Sequence, residues 1–567
     1  MSDIQPPMSS ADPAPSDAAP TARTLTAPDC ACPQEDRVAA ILAALGLLVT
    51  ALCGYISPDG LFHFDDLTHY LYARWAWQWP AYLLDEWGRP GFTALYALPA
   101  YFGWAMCRGF SAILSAWSAW FAYRIARGAG LRYAWAVVPL CFIQPLFFQL
   151  AQTTLTETAL AFYLTTAVYL AQRDRWSLGA AVLSVALLTR HEAAVFVPVL
   201  VFVAWRQGVP LWRHWPLVWA PLAVNLLCPL AGLQPVWKRL AHHESSGQYG
   251  HGGWLTYFSR SLEAFGPAVA VLGIVGTFLL LRNRRTQLVA GSIAVYFAAQ
   301  TVIRALGLYD SGGYARFLVG ISPLVAIAAL AGLTALLTGD GPRRVAAALA
   351  VAAAMGLCCF AMHRQIAMMQ SNRDFLAEVP RLTQAVTAVN WTTIGLAVFA
   401  LMTALVEMTA RPAPPSTARF VRPLMPLGLA IVAALTCREL CYPLYPPNEQ
   451  PIVDDTLAWL KDHGHDPRQL ISAVVWIDYK TGRAYPPAHP TLREQLEAAP
   501  IGTVFAWDRQ FAGCPDHKLQ LEEFEDSPAW REILVTAPLP NRGLEPYLFL
   551  FEKVGPWGSG KSARPTS

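Results

Sequence analysis

Long unbroken apolar runs constrain this chain more than any other feature. The first, Val38–Ile56, carries no charged residue, and comparable runs recur to about residue 441. They are continuous rather than alternating, so they read as helices. Inside a bilayer only helices or closed barrels satisfy every backbone group. Composition agrees: 14% of residues are charged, against about 25% in a soluble domain, and the mean hydropathy is +0.33. The fold class expected is mostly α, a polytopic membrane protein. The net charge of +3 is too small to argue for nucleic acid as a partner. The 11 cysteines show no metal-like pairing and read as small apolar filler.

Residues 1–36 are rich in Pro, Ala, Ser and Thr and cannot bury a core, so a disordered tail is expected. They lack the charged start and cleavage site of a signal peptide. About thirteen spans follow, oriented by their Lys and Arg positions. They are placed near 38–56, 110–127, 133–150, 157–172, 176–189, 193–205, 215–233, 263–281, 286–305, 316–338, 345–361, 391–410 and 423–441. With the N-terminus in the cytoplasm, most basic clusters fall on the cytoplasmic side. Arg89, Arg190, Lys238, Arg239, Arg304, Arg316 and Arg364 are the exceptions on the outer side, where function is one reason for a cation to sit. This arrangement assigns 37–442 to a membrane domain with a long first outer loop, 57–109.

That loop opens with Phe62-His63-Phe64-Asp65-Asp66-Leu67-Thr68-His69-Tyr70, followed by Tyr72, Trp75, Trp77 and Trp79. Adjacent carboxylates followed by interfacial aromatics suggest acid chemistry on juxtamembrane helices at a membrane surface. Asp66 is expected to cap a helix beginning at Leu67. Gly91–Met106 reads as a helix at, or dipping into, the membrane. A later outer loop carries Lys238-Arg239, His242-His243-Glu244 and the Gly-rich Gly247–Gly253, either an ordinary polar loop or a mobile lid. From Pro443 charge rises and apolar runs vanish, so 443–567 reads as a small α/β domain outside the membrane. Helices are expected at Asp454–Asp462 and Thr491–Ala498, and strands at Ile471–Ile477, Thr503–Trp507, Trp530–Val535 and Tyr547–Glu552. No nucleophile elbow, phosphate loop or metal motif is present there.

Four outer features converge under this topology. They are Asp65-Asp66, Glu157 in Thr156-Glu157-Thr158, Arg190-His191-Glu192, and Tyr314-Ala315-Arg316-Phe317. Carboxylates at span boundaries are costly unless paired with cations or used. Each has a structural alternative: Asp65 as a solvated loop acid, Glu157 paired with Arg190, Arg316 reaching to headgroups.

The order of these motifs resembles the GT-C class of membrane glycosyltransferases, and more narrowly the protein O-mannosyltransferase and aminoarabinose transferase group. The carrying features are the acidic pair, Thr156-Glu157-Thr158, Leu188-Thr189-Arg190, and Arg316-Phe317-Leu318 through Pro323. Phe64 and Asp66 depart from the related His-Pro-Asp-Glu pattern. The resemblance implies a sugar on a polyprenyl phosphate as donor and an inverting transfer to a lipid, glycan or protein acceptor on the outer face of the plasma (inner) membrane. Asp65 is then the base, with Asp66 and Glu157 as further catalytic acids. Arg316, Arg190, Arg89, Lys238 and Tyr314 become donor-phosphate residues, and His191 and Glu192 support them. No cofactor is expected; a divalent cation between Asp65 and Glu157 is the less favoured alternative. Two other classes compete. A transporter or lipid flippase would place binding groups near the midplane with interrupted helices in both halves. A non-catalytic assembly or sensor protein would depend on 443–567 and not on Asp65.

Overall fold

The computed structural model describes residues 33–236, 238, 250–338, scattered positions from 346 to 364, 442–487, 490–514, 517–539 and 546–557. The expected spans near 391–410 and 423–441 and most of the tail lie outside the described residues, as does the loop 239–249.

The first apolar run forms α1, Pro33–Ile56. After it the chain turns into α2, Phe64–Trp75, and α3, Pro90–Tyr101. Gly103 adopts φ 113° and breaks the helix, a conformation that glycine alone enters cheaply. The apolar piece expected as one helix over Gly91–Met106 is therefore two. Its second part opens α4, Trp104–Gly128, which is longer than the expected span at 110–127. The region 133–150 is also divided, into a 3-10 turn, α5 (Val137–Phe142) and α6 (Pro145–Leu150). Pro145 cannot continue a preceding helix, so the break falls before it. α7 (Thr156–Gln172) and α8 (Trp176–Thr189) form a helical hairpin and match expectation closely. α9 (Phe196–Arg206) follows a 3-10 helix, His191–Val195. The run at 215–233 is a 3-10 helix, Leu211–Val218, leading into α10, Trp219–Leu227.

The expected span at 263–281 needs the largest correction. α11 (Thr256–Phe265) and α12 (Pro267–Leu281) meet at a bend of 117°. Gly266 takes φ 75° and Pro267 follows it, so glycine makes the turn and proline starts the next helix. α13 spans Gln287–Leu306. The expected span at 316–338 starts as a 3-10 helix, Ala315–Ile321, and continues as α14, Ser322–Thr338. α12 and α14 cross very closely: a Cβ on Gly276 would run into the Ala328 carbonyl oxygen, and one on Gly332 into that of Leu272. Small residues at a crossing let membrane helices approach backbone to backbone. Among the described residues, four helical stretches are long and apolar enough to cross a bilayer, or five if the bent pair counts as one. The protein is an integral membrane protein.

The later residues supply α15 (Glu449–Asp462), α16 (Val475–Thr481), α17 (Leu492–Ala498) and a four-stranded sheet. Its strands are β1 (Ile471–Ser472), β2 (Val504–Asp508), β3 (Trp530–Val535) and β4 (Leu548–Lys553). They lie in the order β1-β2-β4-β3, parallel only between β1 and β2. The strand expected over Ile471–Ile477 is only its first two residues, because the chain turns helical at Val475. β2 is buried throughout. Its alternate side chains serve opposite faces: Phe505 and Trp507 pack with Leu496 and Phe524, whereas Val504 and Ala506 join a core shared with α2.

That shared core joins the late residues to the first loop. Leu67, Tyr70 and Trp75 pack with Trp476, Ile477 and Val474. Tyr82 donates to the Tyr485 carbonyl at 2.6 Å, and Gln450 donates to Asp59 at 2.7 Å. The late residues thus press α2 against the helix bundle.

Candidate active site

Helix ends bring the charged residues together. α7 and α8 are antiparallel neighbours, so the N-terminus of one lies beside the C-terminus of the other. Glu157 occupies the first turn of α7, and Arg190 caps the end of α8. Each charge opposes the partial charge of its own helix terminus. They meet at 2.8 Å, Arg190 Nη1 to Glu157 Oε1. Arg190 also reaches Glu192 at 2.8 Å and donates to Thr156 Oγ1 at 3.0 Å. Its guanidinium lies over the Phe317 ring, 4.7 Å from the centroid.

Arg316 enters from the 3-10 helix before α14. That helix is pinned by Tyr296, whose hydroxyl donates to the Phe317 carbonyl at 2.7 Å. Arg316 Nη2 donates to Asp65 Oδ2 at 2.6 Å, and its Nε lies 3.6 Å from Glu157. Tyr314 covers it, with the guanidinium carbon 5.2 Å from the ring centroid. The guanidinium is almost fully buried, and among the described residues its Nη1 and Nε have no hydrogen-bond acceptor. The result is a row of alternating charge, buried at its centre and partly exposed at its ends: Glu192, Arg190, Glu157, Arg316, Asp65.

Asp65 stands at the start of α2. The helix is capped by His63, whose Nδ1 accepts from the Asp65 amide at 3.2 Å. The same nitrogen lies 3.3 Å from Asp65 Oδ2 and serves one of these roles at a time, which leaves Arg316 as the steady partner. Burial pushes the Asp65 carboxyl up, but His63 and Arg316 together outweigh it and hold the group well below the usual carboxylate range.

Asp66 is placed differently from expectation. It is not the helix cap, which His63 supplies one turn earlier than the expected start. It is fully buried, and it accepts from the Thr154 amide at 2.5 Å and from the Thr154 hydroxyl. It therefore fastens α2 to the segment leading into α7. Burial is the largest influence on it and raises its pKa to about 6.

Arg89 caps α3 in a left-handed conformation, φ 60°, a strained choice for a residue with a side chain. Its Nη1 lies 3.1 Å from His191 Nδ1. Burial lowers the Arg89 pKa, and Arg190 adds to that. Glu192 is held at a pKa of about 2: burial opposes ionisation, and Arg190 more than offsets it. Lys238 is exposed. Among the described residues, no group of three or more His, Cys, Asp or Glu side chains gathers as for a metal ion.

Three participants carried little sequence signal. Thr154 stands two residues before the Thr156-Glu157-Thr158 motif with no charge to mark it, and Thr156 is legible only as part of that motif. His69 is the third: it stands four residues after Asp65 on α2, and only that spacing could have drawn attention to it.

No protein-family model matches the chain, and no curated protein matches it. Solved structures do. The apo crystal structure of ArnT from Cupriavidus metallidurans aligns over 90% of this chain and 97% of its own, with a TM-score of 0.53 and 12% identity. The fold is that of ArnT. A second crystal structure, ArnT from the same organism bound to undecaprenyl phosphate, aligns over the same shares with a TM-score of 0.53 and 14% identity. ArnT is an aminoarabinose transferase of the GT-C kind. The likeness to ArnT is one of fold and covers 90% of this chain.

Proposed function

We propose that this chain is an inverting glycosyltransferase of the inner membrane that takes a sugar from a polyprenyl phosphate. The observation that carries this reading is the Asp65–Arg316 pair in its partly buried row of alternating charge. The ArnT-like fold supports it, because one ArnT structure holds undecaprenyl phosphate. The lipid phosphate must leave with a negative charge, and a preorganised guanidinium lowers the cost of that charge. Arg316 has buried donors to offer, and its fork matches a phosphate. Arg190 and Arg89 stand behind it. Lys238 and Tyr314 complete the phosphate side of the reading, and Glu157 keeps the two guanidinia apart and oriented. His191 and Glu192 support Arg89 and Arg190. Asp66 acts by holding α2 in place. No metal is invoked.

In the transfer, an acceptor hydroxyl attacks the anomeric carbon from the face opposite the phosphate. Its proton passes to Asp65, and the carbon–oxygen bond to phosphate breaks with its electron pair retained by phosphate. Configuration inverts. A carboxylate paired with Arg316 is a weak base. A phosphate drawing Arg316 toward itself leaves Asp65 more basic just when the donor is present. A positioned base of this kind is worth about 10²–10⁴ in rate. The acceptor is a lipid, glycan or protein.

The same reading places the N-terminus in the cytoplasm and about thirteen spans in the bilayer. Residues 443–567 form an extracytoplasmic α/β domain over the first loop. A transporter would gather its charges near the midplane, whereas these groups meet at helix ends.

The test follows hydrolysis of radiolabelled polyprenyl-phosphate sugars by purified protein in detergent, which needs no acceptor. Wild type is expected to turn over at least one donor. Asp65→Asn is expected to lose at least a hundredfold while keeping its melting temperature and binding undecaprenyl phosphate at least as tightly as wild type, since Arg316 is then freed for the phosphate. Near-normal turnover by that variant would remove Asp65 from the base role.

A further inference from the structure

His69 is 4% exposed, yet among the described residues its Nδ1 has no hydrogen-bond partner. A buried polar atom left open in this way costs about 1–3 kcal/mol, so it calls for a reason. The residue lies one helical turn beyond Asp65 on α2, hence on the same face. That face carries Asp65, and the His69 ring meets the stretch of chain around Arg89 through Trp87 and Phe92. Two aromatic rings stand beside it: Phe92 at 5.3 Å and Trp87 at 6.4 Å between centroids.

We propose that His69 binds the sugar of the donor through one uncharged hydrogen bond between its ring and a sugar hydroxyl, on the face of α2 that it shares with Asp65. This rests on the donor class proposed above and names the residue that reads the transferred group. The chemistry selects that role over two others. Burial and the neighbouring guanidinia hold the imidazole neutral, with a pKa of about 3, so it neither neutralises a phosphate nor takes the acceptor's proton near neutral pH. An uncharged, directional bond remains, and polar groups on a sugar need such bonds once water is displaced. Exposed Trp87 supplies an apolar face for the sugar's C–H edges, while Phe92, buried and stacked on Tyr96, backs the His69 ring.

The experiment compares two probes by equilibrium binding in detergent. One is undecaprenyl phosphate without a sugar. The other is undecaprenyl phosphate bearing mannose, glucose or aminoarabinose, whichever the wild type binds best. His69→Leu is expected to weaken the sugar-bearing lipid about tenfold, the worth of one buried neutral hydrogen bond, and to leave the bare lipid within about twofold. Equal loss on both lipids, or loss on neither, overturns the proposal. If His69→Leu does not fold, His69→Asn and His69→Gln decide. Asparagine presents its amide near the position of Nδ1 and glutamine near that of Nε2. Retention by Asn and loss by Gln is the expected order, and the reverse order or no difference overturns it. A wild type that binds neither lipid would instead dismiss the donor class, and this proposal with it.

Discussion

Successive residues on a helix point about 100° apart, and Asp65 and Asp66 use that angle. One turns to Arg316 in the charged row, the other to Thr154 in the packed interior. In sequence the two look alike, because a pair of acids carries no mark of which side faces a partner. The position of the acid was legible and the division of labour was not. Asp66 gives the cleaner test. Its folded pKa, about 6, is raised above the unfolded 3.8. Its contribution to stability is therefore full below about pH 4 and is lost as pH rises through 6. That loss is on the order of 2–3 kcal/mol. Asp66→Asn keeps an acceptor for Thr154 without the charge. It is expected to flatten the melting profile between pH 4 and 7 and to retain donor turnover. Asp66→Ala strands both Thr154 donors and is expected to lose about 1–3 kcal/mol.

At the scale of elements, periodicity and length identified α7, α8 and α13 almost to the residue, since each is a single apolar helix ended by its own charges or glycine. It missed the breaks. Gly103, Pro145 and Gly266 look harmless inside an apolar run, and glycine is common in membrane helices. Whether such a residue bends the chain depends on what packs against it. The crossing of α12 and α14 makes this measurable. Gly276→Ala sets a methyl against the Ala328 carbonyl and is expected to lower the melting temperature in detergent, at a cost of about 1–3 kcal/mol. Gly109→Ala lies within α4 with nothing inside 4 Å of the added carbon. It is expected to leave the melting temperature unchanged or raise it.

Over the whole molecule, the shared side expected for the charged motifs anticipated that Asp65, Glu157, Arg190, Glu192 and Arg316 come together. The docking of the late residues on α2 was not legible. Pairings such as Tyr82 with Tyr485 or Asp59 with Gln450 span some four hundred residues, and no local pattern announces them. The same long reach gives the charged row a property that no single pair has. Its members come from four separate stretches of chain, and each arginine is claimed by two acids. Neither acid can gain hold of its arginine unless the other gives some up. An anion settling at Arg316 therefore loosens Glu157, which leans on Arg190, which relaxes its grip on Glu192. The far ends can negotiate with no backbone movement. A double-mutant cycle of Asp65→Asn and Glu192→Gln on undecaprenyl phosphate affinity is expected to give an interaction energy of about 0.5 kcal/mol or more. Strict additivity would mean two unrelated ion pairs. A row so balanced has its affinity for a phosphate at one end adjusted by a carboxylate that never meets it.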